Sequence, residues 1–178
     1  MKIGVYGSAA GNIDSSLLEK ARELGREIAK RGHIIVTGAC TGLPYQAVLG
    51  AKEKGGKAIG FSPARDIDEH TEIYGFPVKG FDEIKFTGLG KKGRNVVSVH
   101  NCDAAVFISG RIGTLNEFTI AYDDNVDIGI LEGTGGFTSI AKFVIDSLKK
   151  ETKSKVVYDF NPAELIKKLE VEKDETKR

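Results

Sequence analysis

Asp103-Ala104-Ala105-Val106-Phe107-Ile108-Ser109-Gly110-Arg111-Ile112-Gly113-Thr114-Leu115-Asn116-Glu117 is the stretch whose reading decides the fold. Residues 104–108 are apolar without alternation, the pattern of a central parallel strand buried on both faces. Ser109 and Gly110 break the run, and Gly113-Thr114 open a helix that continues through Phe118 and Ala121. A strand, a glycine turn and a helix N-terminus together make an anion site, because the first helical N–H groups lack intrahelical acceptors and the helix dipole favours negative charge there. Glu117 falls one turn into that helix. Its carboxylate would repel a phosphate set directly on the N–H groups, so it reads as facing a sugar hydroxyl or a base edge beside the phosphate. An ordinary strand-to-helix turn shares these features, and a first-turn Glu helps any helix.

Working outward, the same strand, small-residue loop and helix recur. Residues 2–6 form a strand that runs into Gly7-Ser8-Ala9-Ala10-Gly11, which is not the full Gly-x-Gly-x-x-Gly fingerprint. Ser16-x-x-Glu19 has the spacing of a capping box. Leu17, Leu18, Ala21, Leu24, Ile28 and Ala29 then make one helical stripe that ends at Gly32. Residues 33–37 are the second strand, with His33 at its entry in a structural place, followed by Gly38-Ala39-Cys40-Thr41-Gly42. Pro44 suits a first helical position, and a helix is expected over 45–54.

A third strand is expected at 57–61, then an irregular connection over 62–80 that reads as a lid over the site, then a fourth strand at 83–87 ending in Gly88-Leu89-Gly90. Arg94 reads as the start of a helix carrying Val96, Val97 and Val99 to His100. A cation there opposes the dipole, and an anion bound between it and the helix would resolve the conflict. Beyond the central stretch come a strand at 128–131, the loop Gly133-Thr134-Gly135-Gly136, a helix over 140–149 and an edge strand at 156–158. Pro162 opens a last helix with Leu165, Ile166 and Leu169 on one face. The expectation is one domain over 1–169 and a charged tail at 170–178 that frays.

Strands alternating with helices predict an α/β fold of doubly wound, Rossmann-like type: a mainly parallel sheet of about seven strands with helices on both faces. In that architecture the loops after Gly7, Gly38, Gly88, Ser109 and Gly133 lie on one edge, where ligands bind near the switch in strand order. Their joint occurrence favours a phosphate-bearing small molecule.

Composition excludes several classes. At 178 residues with 40% hydrophobic content, the chain supports one well-buried domain. A net charge of +1 gives no steer toward nucleic acid or an anionic membrane. Cys40 and Cys102 fit neither a disulfide framework nor a metal knuckle, so they read as reduced thiols in a cytoplasmic protein with no metal. No apolar run is long enough to span a bilayer, and the expectation is a strand directly after Met1 with no cleavable leader. Tyr45, Phe86 and Phe118 are rings that could stack on a base, although core packing is the commoner role for each.

Ser109-Gly110-Arg111-Ile112-Gly113-Thr114-x-x-Glu117 resembles the Pro-Gly-Gly-x-Gly-Thr-x-x-Glu motif of the LONELY GUY (LOG) family, whose members long carried a lysine decarboxylase label. The loops at Tyr6-Gly7-Ser8 and Thr37-Gly38-Ala39-Cys40-Thr41-Gly42 look like that family's first two loops, and Arg94 falls where the family has an essential arginine. Gly133-Thr134-Gly135-Gly136-Phe137 is similar to a branch that includes molybdenum cofactor carrier proteins.

The resemblance implies a homodimer or homotetramer and an AMP-like nucleotide, or molybdopterin, as ligand, with no cofactor required. The ligand would lie against Gly7, Ser8, Gly38, Thr41, Gly42, Gly110, Arg111, Ile112, Gly113 and Thr114. It implies catalytic roles for Arg94, at the anionic part or the leaving group, and for Glu117, at the ribose or attacking water of an N-glycosidic hydrolysis. A carboxylate suits a developing oxocarbenium charge. The motif's proline is Ser109 here, its second glycine is Arg111, and the lysine after the family arginine is Asn95. These departures weaken hydrolysis more than binding and leave a non-catalytic carrier or sensor open. No lysine sits in a pyridoxal phosphate setting, so a decarboxylase finds no support.

Overall fold

The apolar run 104–108 is the middle of a seven-stranded sheet. The computed structural model describes residues 1–171. Its strands are β1 (Lys2–Gly7), β2 (Ile34–Thr37), β3 (Ala58–Ser62), β4 (Glu83–Phe86), β5 (Ala104–Ile108), β6 (Asp127–Leu131) and β7 (Val156–Asp159). Every pairing is parallel, in the order β4-β3-β2-β1-β5-β6-β7. All five residues of β5 are buried, as expected of a strand covered on both sides. β1 pairs with both β2 and β5. The chain therefore winds outward from β1 to β4, returns, and winds the other way from β5, which places the switch between β1 and β5.

Among the described residues, six helices cover the two faces. α1 (Ser15–Lys30), α2 (Gly42–Glu53) and α6 (Pro162–Glu170) enclose one core, built on Ile3, Val5, Leu24, Ile28, Leu43, Val106 and Leu165. α3 (Gly90–His100), α4 (Ile112–Asp123) and α5 (Ala141–Leu148) enclose the other, built on Tyr6, Val36, Phe107, Phe118, Ile128 and Phe137. The alternation of side chains along β1 sends Val5 to one face and Tyr6 to the other. Doubly wound architecture is thus present as expected.

Several local expectations change. Asp14, not Ser16, caps α1: its carboxylate accepts from Ser16 N at 2.8 Å, and Ser16 lies inside the helix. α2 begins at Gly42, so Pro44 sits within its first turn rather than opening it. α3 begins at Gly90, so Arg94 lies in the second turn and not at the helix start. The 62–80 connection contains a π-helical turn, Glu69–Ile73. The glycine loop after β6 passes through a 3-10 turn, Gly136–Ser139, before α5. Glu170 belongs to α6 and pairs with Arg31 and His33 at 2.7 and 2.8 Å, so it is held rather than frayed. Residues 172–178 of the expected tail lie outside the described residues. Among those described, no helix is long and apolar enough to cross a membrane, and no cluster of His, Cys, Asp and Glu is suited to a metal.

Candidate functional site

At the carboxyl ends of β1 and β5 the loops lock together. A Cβ on Gly7 would stand 2.3 Å from Ile108 O, so only glycine allows the two strands to close there. Ser8 Oγ accepts from Gly110 N at 3.1 Å and lies 3.4 Å from Ser109 Oγ. The chain turns through left-handed backbone at Ser109 (φ 54°) and Gly110 (φ 100°). A Cβ on Gly110 would meet Thr114 at 2.4 Å, which is why this motif glycine is needed. The loop after β6 braces the turn from behind: Thr134 Oγ1 accepts from Ser109 N at 2.8 Å, and Phe137 N donates to Gly110 O at 2.7 Å.

The second loop is tied to the first. Thr41 Oγ1 donates to Ala9 O at 2.6 Å, and Leu43 N donates to Ser8 O at 2.9 Å. Thr41 Oγ1 is turned toward Ala9, and the N-terminus of α2 receives no side-chain cap. α3 and α4 also start without one. Arg111 occupies the N-cap position of α4, and its guanidinium Nη2 donates to Ala10 O at 2.8 Å instead. In α4 the uncapped first turn leaves N–H groups free to receive an anion, whereas in α2 Leu43 N is spent on Ser8 O and Pro44 has no N–H, and in α3 Gly90 N is spent on Pro63 O at 3.1 Å.

Arg94 and Glu117 meet at the bottom of this arrangement. Arg94 is 6% exposed and lies flat against Gly38, where a Cβ would stand 1.8 Å from its Nη1. Nη1 is 3.5 Å from Glu117 Oε1, and the buried Nε has no partner. With its amide oriented to match its neighbours, Asn95 Nδ2 donates to Glu117 Oε1 at 3.2 Å and to Lys91 O at 2.9 Å. Burial pushes the Glu117 carboxyl up to about 7, with Arg94 and then Lys92 pulling against it. Burial likewise pushes the Cys40 thiol up to about 11 and raises the Tyr6 phenol well above its ordinary range.

These elements wall one cavity of about 450 Å³. Of the expected residues, Gly7, Ser8, Gly38, Thr41, Arg94, Arg111, Ile112, Gly113, Thr114 and Glu117 line it. Gly42 and Gly110 do not: they stand behind the wall and shape it through left-handed turns. The loops at Gly88 and Gly133 do not reach the cavity either, which corrects the expectation that five loops converge. The Gly133 loop supports the Ser109 turn, and Gly88 packs beside Arg65.

None of the three candidate stacking rings faces the cavity. Phe118 is buried against Phe107 and Phe137, Tyr45 stacks on Phe81, and Phe86 meets His70 edge-on. From the expected lid, only Phe76 lines the wall. Sequence reasoning missed Tyr6, Cys40, Pro44, Lys91, Lys92 and Asn95 among the lining residues. A signal existed for the lysines: both lie in the first turn of α3, where the dipole disfavours cations. Lys91, Lys92, Arg94 and Arg111 set four cations around one carboxylate, Glu117, so the hollow attracts anions.

The sequence model of the SLOG cluster4 family matches residues 1–166. An uncharacterised protein of Archaeoglobus fulgidus is 30% identical over 133 residues, 74% of this chain and 80% of its own length. Among solved structures, the X-ray structure of TM1055 is similar at 26% identity with a TM-score of 0.82, covering 95% of this chain and 98% of that one. The molybdenum cofactor carrier protein of Chlamydomonas reinhardtii is similar at 27% identity with a TM-score of 0.74, covering 94% of each chain.

Proposed function

The chain belongs to the SLOG cluster4 family, and from that premise we infer that it binds and carries a small phosphorylated ligand of the molybdenum cofactor type without converting it. The observation that carries this reading is the charge of the cavity: four cations and the uncapped first turn of α4 around a single carboxylate. A phosphate group fits the first turn of α4, where free N–H groups and Arg111 act together. The cavity volume of about 450 Å³ falls in the range of small-molecule sites. The likeness to the Chlamydomonas carrier protein supports the pterin-type ligand over a plain nucleotide. The test is to purify the chain from cells that make the cofactor, release what is bound, and analyse it by pterin fluorescence and mass spectrometry. A phosphorylated pterin is expected, and the absence of any bound or bindable pterin would overturn the carrier reading.

A second reading is a LOG-like phosphoribohydrolase, favoured by one observation. Glu117 faces the anion cavity beside Arg94 with its carboxyl held near 7, in the range of a working general acid or base. Incubation with AMP and N6-modified analogues would release ribose 5-phosphate on this reading, and would release none on the first. The homodimer or homotetramer implied by the family resemblance is checked by light scattering.

A further inference from the structure

Arg94 is a buried cation whose donors are largely idle. A guanidinium carries five N–H donors. Here one reaches Glu117 at 3.5 Å, longer than the usual charge-assisted contact, and the buried Nε reaches nothing. The side chain lies flat on Gly38, so its head is fixed at the cavity wall. Glu117 is thus a loose resident partner for a cation placed to hold something else.

We propose that the anionic group of the ligand displaces Glu117 as the partner of Arg94, and that Glu117 takes up one proton from solvent as it yields. This rests on the anion-carrying reading above and adds how that site is regulated. Two anions beside one buried cation oppose each other, and the weaker acid gives way by protonating. The ligand would be an oxyanion, whose several oxygens can engage the free donors of Arg94 where one distant carboxylate oxygen does not.

The surroundings of Glu117 single it out as the proton acceptor. α3 presents Lys91, Lys92, Arg94 and the Asn95 amide. The end of β1 presents Tyr6, and the loop after β2 presents Cys40. The start of α4 itself presents Arg111 and Thr114, and the 62–80 connection contributes only the apolar Phe76. Tyr6 and Cys40 are pushed upward by burial and keep their protons at neutral pH. Glu117, raised to about 7, is placed to change state.

The experiment is calorimetric titration of the full chain with molybdate, a dianion across the range used, from about pH 6 to about pH 9 in paired buffers of different protonation enthalpy. Expected is uptake of about one proton near pH 8 and an affinity that falls roughly tenfold per pH unit above about 7. Glu117→Gln should bind molybdate with neither the proton uptake nor the slope. Molybdate binding that is flat or strengthens with pH overturns the exchange while leaving the anion-carrying reading in place. Failure to bind at any pH overturns both. Should the Gln variant not fold, carbon-13 NMR of labelled glutamate in the unaltered protein decides. The Glu117 carboxyl must titrate at higher pH when molybdate is saturating, and an unmoved midpoint overturns the exchange.

Discussion

The two edges of the sheet use the same kinds of side chain for opposite ends. At the edge where the strands begin, polar groups are matched. Asp103 Oδ2 accepts from Lys2 N at 2.6 Å, Glu170 joins Arg31 and His33, and His100 meets Asp124 at 2.6 Å. At the edge where the strands end, Arg94 has a distant partner, α2, α3 and α4 start uncapped, and Lys91 and Lys92 sit against the dipole. Arg31 also leaves a buried Nε unmatched, yet its Nη1 is firmly paired to Glu170. One edge fastens α6 to the rest of the fold, and the other holds polar groups in readiness. Local frustration confined to one edge is the physical mark of a binding site.

That contrast can be broken most severely at Arg94. Arg94→Gln should cost about 3–5 kcal/mol of binding free energy for an anionic ligand, measured by calorimetry, because it removes the one buried cation of the cavity. Gly38→Ala should weaken binding in the same direction by pushing the guanidinium off its seat.

Next in size is Glu117. Its folded pKa of about 7 lies above its ordinary value, so the folded state binds more protons than the unfolded one between those values. Stability from this group is therefore full below the ordinary glutamate range and is lost as pH rises through about 7. Glu117→Gln should remove that loss: relative to the unaltered chain, it gains roughly 3 kcal/mol on going from about pH 4 to about pH 8 in chemical unfolding. Equal pH profiles for the two chains would show that Glu117 is not buried as described.

The opposite edge gives smaller numbers. Glu170→Ala should cost about 1 kcal/mol of unfolding free energy, since its ion pairs are partly exposed, and should leave ligand affinity unchanged. Arg111→Gly, which restores the motif glycine, should weaken anion binding by about 0.5 kcal/mol, because this guanidinium is exposed and engaged with Ala10 O.

How much of this could be read beforehand depended on the range of the signal. β5 was legible because a strand buried on both faces writes itself as five consecutive apolar residues. Gly7, Gly38 and Gly110 were legible as loop glycines, but their reasons are tertiary: Ile108 O, the Arg94 guanidinium and Thr114 fill the places of their side chains. Arg94 and Glu117 were legible one at a time, from their places near helix starts and from the family resemblance, but nothing in a single sequence shows that side chains on α3 and α4 meet. The start of α3 was placed too late because Gly90-Lys91-Lys92-Gly93 has weak helical propensity at its glycines and carries charge against the dipole. That misplacement hid both lysines. Tyr6 and Cys40 were hidden for another reason: each is also buried, and only the path of the chain reveals the face left open to the cavity.

The central claim is that the hollow between β1 and β5 receives an anion held by Arg94 and the first turn of α4. Crystals grown with tungstate test it directly by anomalous scattering. The account predicts a peak within hydrogen-bond reach of the Arg94 guanidinium or the backbone N–H groups of Ile112, Gly113 and Thr114. A peak only on the outer surface, or none in a cavity open to solvent, would contradict it.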